Sequence, residues 1–453
     1  MDTKKLRQKI LDLAIRGKLV PQNPNDEPAS VLLERIRAEK ERLIKEGKVK
    51  RSKKSASDTP HYENEALFEV PESWEWTTIN DICSKIGSGS TPRGSNYAEE
   101  GIPFFRSQNV YNDGLVYDDI KYISEDVHKT MVGTEVQAND LLLNITGGSL
   151  GRCAIVPNEF SKGNVSQHVC ILRTIIVLPA YLHLFIISEY FSATMILSGS
   201  GREGLPKYSL EIMQFPLPPY EEQKRIVAAV DKWFALIDTL ETAKDDLQTS
   251  IAQAKSKILD LAIHGKLVPQ DSNDEPAIDL MKRINPKFTP CDNAHYANVP
   301  EGWTIRTLEE IVDYEQPQAY IVQSTDYKSQ YKTPVLTAGK SFIIGYTNES
   351  EGIFTDLPVI IFDDFTTDSK FVDFPFKVKS SAMKILHVKE EVNIQYVCWF
   401  MSITRLIGDT HKRYWISEYS KLHIPIPPRK EQDRIINKVN ELFQILDNIS
   451  AEL

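Results

Sequence analysis

The stretch KILDLAIRGKLVPQ, Lys9–Gln22, returns as KILDLAIHGKLVPQ at Lys257–Gln270. Over the longer window, 9–29 against 257–277, 18 of 21 positions are identical. Two more motifs repeat at wider spacing. VPESW, Val70–Trp74, returns as VPEGW, Val299–Trp303, and FPLPPYEEQKRI, Phe215–Ile226, returns as IPIPPRKEQDRI, Ile424–Ile435. Each half of the chain therefore carries one frame: a helical repeat, an opening VPExW, a long middle, a closing PP-EQ-RI and a further helix. The middles, roughly 70–217 and 299–426, differ in length and share little sequence.

The closing motif leads into the longest periodic run. From Ile226 the apolar positions are Val230, Trp233, Ile237, Leu240, Leu247, Ile251, Ala254, Ile258 and Leu261, with steps of four and three and Lys244 the one polar member. Such spacing predicts one long coiled-coil helix, begun at Pro218–Pro219 and stopped at Gly265. Glu221 and Glu222 suit its first turn, where the helix dipole favours negative charge. About 45 residues at ~1.5 Å each give roughly 68 Å.

The last helix repeats this run through Ile435, Val439, Leu442, Leu446 and Ile449, and the first segment repeats it through Leu6, Ile10 and Leu13. In this alignment Met1 corresponds to Thr249 and Leu453 to Lys244, leaving only counterparts of Asp245 to Gln248 missing. The pattern is that of a duplication cut open inside one of its two helices. It predicts a chain able to close into a ring with a pseudo-twofold axis, a long antiparallel helical pair separating two dissimilar domains.

Composition excludes several classes. A chain of 453 residues with 41% apolar content has room for two or three domains. The five cysteines, Cys83, Cys153, Cys170, Cys291 and Cys398, form no CxxC pair, and the nine histidines show no ligand spacing, which argues against zinc and disulfides and for a reducing cytoplasm. The greasiest stretch is interrupted by Arg173, Pro179 and His183, so it reads as core and not as a membrane span. Net charge is −10, yet residues 1–55 hold 16 Lys/Arg against 8 Asp/Glu. Every later segment is net acidic, so no region has the uniform basicity of a non-specific DNA coat.

The combined frame resembles one family: the specificity (S) subunits of type I restriction–modification systems, over essentially the whole chain. GSGSTPRGSNY, IPFFRSQNV and NITGGSLGRCAIV in the first middle are similar to target-recognition segments of that family. In the other middle, VLTAGKSFIIGYTNESEGIF and VIIFDDFTTDSKFVDFPFKVKSSAMKIL resemble a different recognition class. The resemblance implies an α+β protein with two mixed α/β target-recognition domains, each reading one half of an asymmetric bipartite site on double-stranded DNA. It also implies two methyltransferase subunits held by the helices, nuclease-translocase subunits joining that core, and no cofactor or catalytic role of its own. The corresponding division is an N-terminal helical segment and basic linker (1–55), a first recognition domain (56–218), a central helix and linker (219–289), a second recognition domain (290–426) and a C-terminal helix (427–453).

Base edges are read by hydrogen-bonding side chains on loops, Arg or Lys for guanine and Asn or Gln for adenine. The first middle offers Ser90, Thr91, Arg93, Asn96, Arg106, Gln108, Asn109, Asn144, Thr146, Ser149, Arg152, Gln167, Arg202 and Lys207. The second offers Gln316, Gln318, Tyr320, Lys340, Tyr346, Thr366, Lys370, Lys379, Lys412, Arg413 and Tyr414. For any one of them a solvated loop position is the competing reading; the set beside glycine-rich turns carries the signal.

Other motifs lead elsewhere. LPPY at Leu217 is similar to the (Asp/Asn)-Pro-Pro-aromatic motif of amino-methyltransferases, but Leu217 cannot accept a hydrogen bond from an exocyclic amine. No glycine-rich loop fits a methyl donor or a phosphate. Asp363–Asp364 with Lys370 lacks the Glu-x-Lys strand of a nuclease, and Trp74 and Trp303, belonging to the frame, are expected to pack where the chain enters each domain. The segment Glu34–Lys54, ten basic residues against four acidic, is present in the first half only; a solvated helix with a basic linker, phosphate contact and methyltransferase docking all remain open. So does a structural adaptor using the same helices to hold two protein-binding domains, and, more distantly, the specificity half of another methyltransferase–nuclease assembly.

Overall fold

The computed structural model describes residues 2–49, 68–198, 204–284, 299–339, 341–404, 406 and 413–453. Arg202, Lys340, Lys412 and the basic run Lys50–Lys54 lie outside the described residues. The chain divides into two compact units, Met1–Thr242 and Ala243–Leu453. The expected long helix spans Tyr220–Ile263, and its two parts belong to the two units.

In the first unit the helix Thr3–Ile15 begins at Asp2, whose carboxylate accepts the Lys5 amide hydrogen. It buries Ile10, Leu11, Ala14 and Ile15 against Leu32, Leu33 and Ile36 of the helix Ala29–Lys45 and against Ile226, Val230 and Ile237. Arg7 reaches Asp238 at 2.5 Å and Glu241 at 3.0 Å. Asp26 meets Arg225 at 2.5 Å, so the two helical stretches run antiparallel. The second unit repeats most of this packing: Leu259, Ala262 and Ile263 meet Leu280, Met281, Ile435 and Val439. There Lys255 reaches Asp447 at 2.5 Å and Asp274 meets Arg434 at 2.6 Å, again antiparallel.

The apolar seam differs from its expected form. Ile226, Val230, Ile237 and Ile251 are buried, but Trp233, Leu240 and Leu247 stay 49%, 50% and 39% exposed. In the first helix the buried set is Ile10, Leu11, Ala14 and Ile15, while Leu6 and Leu13 are half-buried. The first helix buries a wider stripe than a coiled coil's two positions per heptad because it packs against a domain as well as a helix, whereas over residues 231–250 of the long helix only Ile237 is buried.

Each unit's middle builds a like four-stranded antiparallel sheet from unrelated sequence, beside a second sheet of four strands in the first unit, where Glu135–Val136 adds an edge, and three in the second. In the first, an antiparallel sheet has the order Cys83–Ser88, Val169–Thr174, Leu141–Asn144, Cys153–Ile155. In the second the order is Val312–Glu315, Met383–Val388, Val359–Asp363, Ser369–Val372. A second sheet sets Lys121–Ile123 beside Ile102–Phe105, which pairs in parallel with Gly163–Val165. Its counterpart sets Ile343–Thr347 beside Thr333–Leu336, parallel to Lys377–Val378. The matching strands occur in the same chain order in both units. The two middles, expected to be different recognition classes, thus differ in sequence and share this strand order.

A two-stranded ribbon closes each domain, Glu75–Thr78 with Gln214–Leu217 and Thr304–Thr307 with His423–Ile426. The frame's residues lock there. Trp74 and Trp303 donate their indole N–H to Glu222 and Glu431, both at 3.0 Å. Gln22 and Gln270 donate to the same carboxylates at 2.5 and 3.0 Å. Gln223 and Gln432 accept the amide hydrogens of Leu178 and Asn393 and donate to the carbonyls of Pro218 and Pro427. Glu222 lies in the first turn of the long helix, as expected, and is also a buried acceptor at the domain opening.

Burial pushes the Glu222 and Glu431 carboxyls above the usual range, opposed by the hydrogen bonds from Trp74 or Trp303 and the glutamines. A raised folded value means that the associated stability is present below the unfolded glutamate range and lost as pH rises through the folded value. The penalty of Glu222→Gln, measured as a shift in urea midpoint, is therefore expected to be larger at pH 4 than at pH 8.

The repeat's glycine is fixed by packing as well as by backbone. Gly17 and Gly265 have φ of 67° and 65°. The following amides, Lys18 and Lys266, bond back to the Leu13 and Leu261 carbonyls at 2.9 and 2.8 Å, which ends each helix. A Cβ would lie 2.4 Å from Pro71 Cγ and 2.2 Å from Pro300 Cγ. Gly17→Ala and Gly265→Ala are each expected to destabilise their own unit by about 2–3 kcal/mol, read by denaturant unfolding.

Candidate nucleic-acid interface

In the first unit the strands of the antiparallel sheet end together at Ser88 and Asn144, and their neighbours begin at Cys153 and Val169. The loops 89–91, 145–152 and 166–168 therefore leave from one end of the sheet. They are tied backbone to backbone: Gly89 N to Val169 O at 3.0 Å, Ser90 N to Val165 O at 3.2 Å and Ile145 N to His168 O at 3.0 Å. A Cβ at Gly89 would lie 1.8 Å from Val165 O, so only glycine allows this approach.

Of the expected residues, Ser90, Thr91, Thr146, Ser149, Arg152 and Gln167 belong to this end. Arg152 is exposed and lies over the Tyr111 ring at 4.8 Å. Arg106 and Gln108 form a neighbouring group in which both donate to Asp119, at 3.2 and 2.9 Å, and Arg106 also donates to the Asp119 carbonyl at 2.6 Å. These donors, with Lys121, hold the Asp119 carboxyl below its usual range. Arg93 and Asn96 are exposed on the loop before Ile102–Phe105, and exposed Lys207 opens the short helix Lys207–Ile212.

Two of the first-domain readings are corrected. Asn109 and Asn144 are fully buried. Asn109 donates to the carbonyls of Val116 and Asp118, and Asn144 donates to Ser107 O at 2.8 Å. Both amides shape the turns beneath the loops.

In the second unit the equivalent sheet end carries Gln316, the turn Asp363–Asp368 with Thr366, and the residues before Met383. Asp363 caps the turn by accepting the amide hydrogens of Phe365 and Thr366 at 2.9 and 3.2 Å. Lys370 is exposed on the edge strand next to the turn, Gln318 is exposed, and Arg413 precedes the helix Tyr414–Ser417. Lys379 and Tyr346 belong to the other sheet. Tyr320 gives its hydroxyl hydrogen to Glu315 at 2.9 Å, and Tyr414 is buried, 4% exposed, which corrects its reading as a surface contact.

The sequence missed the residue that joins these loops. Lys384, 1% exposed, lies on Met383–Val388 and so reads as strand core. Its ammonium group donates to Gln316 Oε1 at 2.9 Å and pairs with Asp364 at 3.5 Å. Asp364 in turn accepts the Trp415 amide hydrogen at 2.8 Å. His168, between two of the first unit's loops, is the corresponding omission there. A lone His or Lys beside a strand gives no pattern by which to find it.

Two like-folded heads, each presenting a different set of polar loops from the same end of the same sheet, define a duplicated binding protein. Residues 71–249 match the family described as Type I restriction modification DNA specificity domain. The type I restriction enzyme EcoAI specificity subunit of Escherichia coli is 28% identical, over 98% of this chain and 90% of its own length. The crystal structure of the HsdS subunit from Thermoanaerobacter tengcongensis matches with a TM-score of 0.50 at 14% identity, over 85% of this chain and 93% of that one. A chain solved in work on complex assembly and conformational transition of the type I R-M system matches with a TM-score of 0.56 at 15% identity, over 85% and 94%. Over nearly its whole length the chain is similar to the specificity subunits of type I restriction–modification systems.

Proposed function

We propose that this chain gives a type I restriction–modification complex its DNA sequence specificity, each head reading one half of an asymmetric bipartite target. The single observation that carries the reading is the pair of matching sheet scaffolds with unlike polar loops at the same end. Unlike loops on one scaffold are suited to unlike half-sites. In this reading the recognition domains are 56–218 and 290–426, and the helical segments 1–55, 219–289 and 427–453 close into a ring with a pseudo-twofold axis. Helices of fixed length between two heads impose a fixed spacing on a duplex that advances ~3.4 Å per base pair. The subunit itself is non-catalytic; methyl transfer and cleavage belong to the methyltransferase and nuclease-translocase chains it gathers. No described helix is long and apolar enough to cross a membrane.

The exposed helical positions fit that assembly. Trp233, Leu236 and Leu240 are 49%, 47% and 50% exposed on one helix, and large exposed apolar groups in a cluster mark protein contact surfaces. A Trp233→Ser, Leu240→Ser double variant is expected to keep its own unfolding transition while losing at least tenfold in affinity for the methyltransferase chains, measured by calorimetry. The function is tested by selecting from random duplex pools with the chain, alone and with those partners. Enrichment of one split motif with a constant gap supports it. Enrichment of no motif under either condition rejects it.

A further inference from the structure

The loop end of the first unit's sheet carries a side-chain network that spans three loops. His168 Nδ1 lies 2.8 Å from Thr146 Oγ1, and His168 Nε2 lies 3.2 Å from Gln167 Nε2. At the other end of the Gln167 amide, Oε1 accepts from the Thr91 hydroxyl. An amide nitrogen only donates, so His168 Nε2 is the acceptor, and the imidazole proton on Nδ1 goes to Thr146. Gln167 is thereby held at both ends while keeping capacity at both. One hydrogen on Nε2 and one lone pair on Oε1 remain unused by this network.

Gln167 and His168 are both exposed, which leaves that donor–acceptor pair open to a ligand. Below them, Asn144 Oδ1 and Ser166 Oγ are buried with no hydrogen-bond partner. Unmet buried polar atoms are rare in folded proteins and call for an explanation such as a functional site. A donor and an acceptor side by side on one planar amide complement the N6 and N7 edge of adenine in the major groove. Rotation of an unheld amide exchanges its donor and acceptor, so orientation is what makes it selective. Holding the group in its binding geometry beforehand removes a cost of recognition.

We propose that Gln167 reads an adenine in the first half-site and that His168 is the positioning residue that fixes which way its amide faces. This rests on the DNA-specificity reading above and names the atoms by which the first head discriminates. Thr91 and Thr146 complete the clamp, one on each side.

The test uses the full chain with its methyltransferase partners and duplex pools randomised across the target. Gln167→Ala is expected to lose roughly tenfold to a hundredfold in adenine preference at one position of one half-site. His168→Ala is expected to lower the preference at that same position only, and the double variant to do no worse than Gln167→Ala. His168→Gln, which can place an amide oxygen where Nε2 stands, is expected to restore most of it. Unchanged selection by His168→Ala, an equal loss at every position, or a base other than adenine at the position Gln167 controls would overturn the proposal alone. A wild-type chain that enriches no sequence would overturn the DNA reading beneath it as well.

Discussion

A chain cut after Gln248 is expected to fold, to dimerise and to select an inverted repeat of the first half-site. The whole core of the first unit, from Ile10 to Ile237, precedes the cut, so folding does not depend on the second half. The fragment also keeps one helical repeat and one PP-EQ-RI helix. In the ring proposed above, each repeat segment continues the helix of the other copy, with the apolar phase preserved because Met1 aligns with Thr249. Two identical heads related by a twofold axis read a palindrome, as dimeric DNA-binding proteins do. Against the native asymmetric target one half-site is wrong, and at about 1–3 kcal/mol per mismatched base pair most specific affinity is lost. Sedimentation and duplex selection check both parts. A fragment that stays monomeric at high concentration, or that selects a direct repeat, contradicts the antiparallel ring.

Lys384→Met is expected to destabilise the second unit by about 3–5 kcal/mol, because it leaves the Asp364 carboxylate buried without its cation. Asp364 also anchors the Trp415 amide, and Gln316 loses its donor, so the loops at that sheet end lose their common brace. Pairing Lys384→Met with Asp364→Asn removes the uncompensated charge and is expected to recover much of the stability in denaturant melts. Selection at the second half-site should still be impaired in the double variant, and selection at the first should be untouched. A single variant as stable as wild type would show that the pair contributes no net stability.

Candidate recognition residues were legible as types and only partly as positions. Thr146, Arg152 and Gln167 follow from polar residues beside glycine-rich turns, and the structure brings them to one sheet end. Asn109 and Asn144 belong to the same pattern and are buried, since a turn needs amides beneath it as much as a ligand needs them above. No sequence rule separates the two uses. No local pattern marks His168 either, because its contact with Thr146 spans 22 residues.

The frame, the long helix and the duplication were determined by the sequence alone. Their signals are local: a repeated motif, a period, a glycine after a helical run, a proline pair before one. Even the pairing of Glu222 with Trp74 has an echo there, since Glu431 and Trp303 repeat it. The shared topology of the two heads was decided only in three dimensions. Cys83–Ser88 pairs with Val169–Thr174 across more than 80 residues, and Val312–Glu315 pairs with Met383–Val388 across about 70. Such pairings need only apolar strands of suitable length, which many sequences satisfy, so two unrelated middles fold alike without resembling each other. The buried contacts of Lys384 and the orientation of Gln167 depend in turn on loops that those pairings bring together. They are consequences of the assembled sheet and leave no trace in the order of residues.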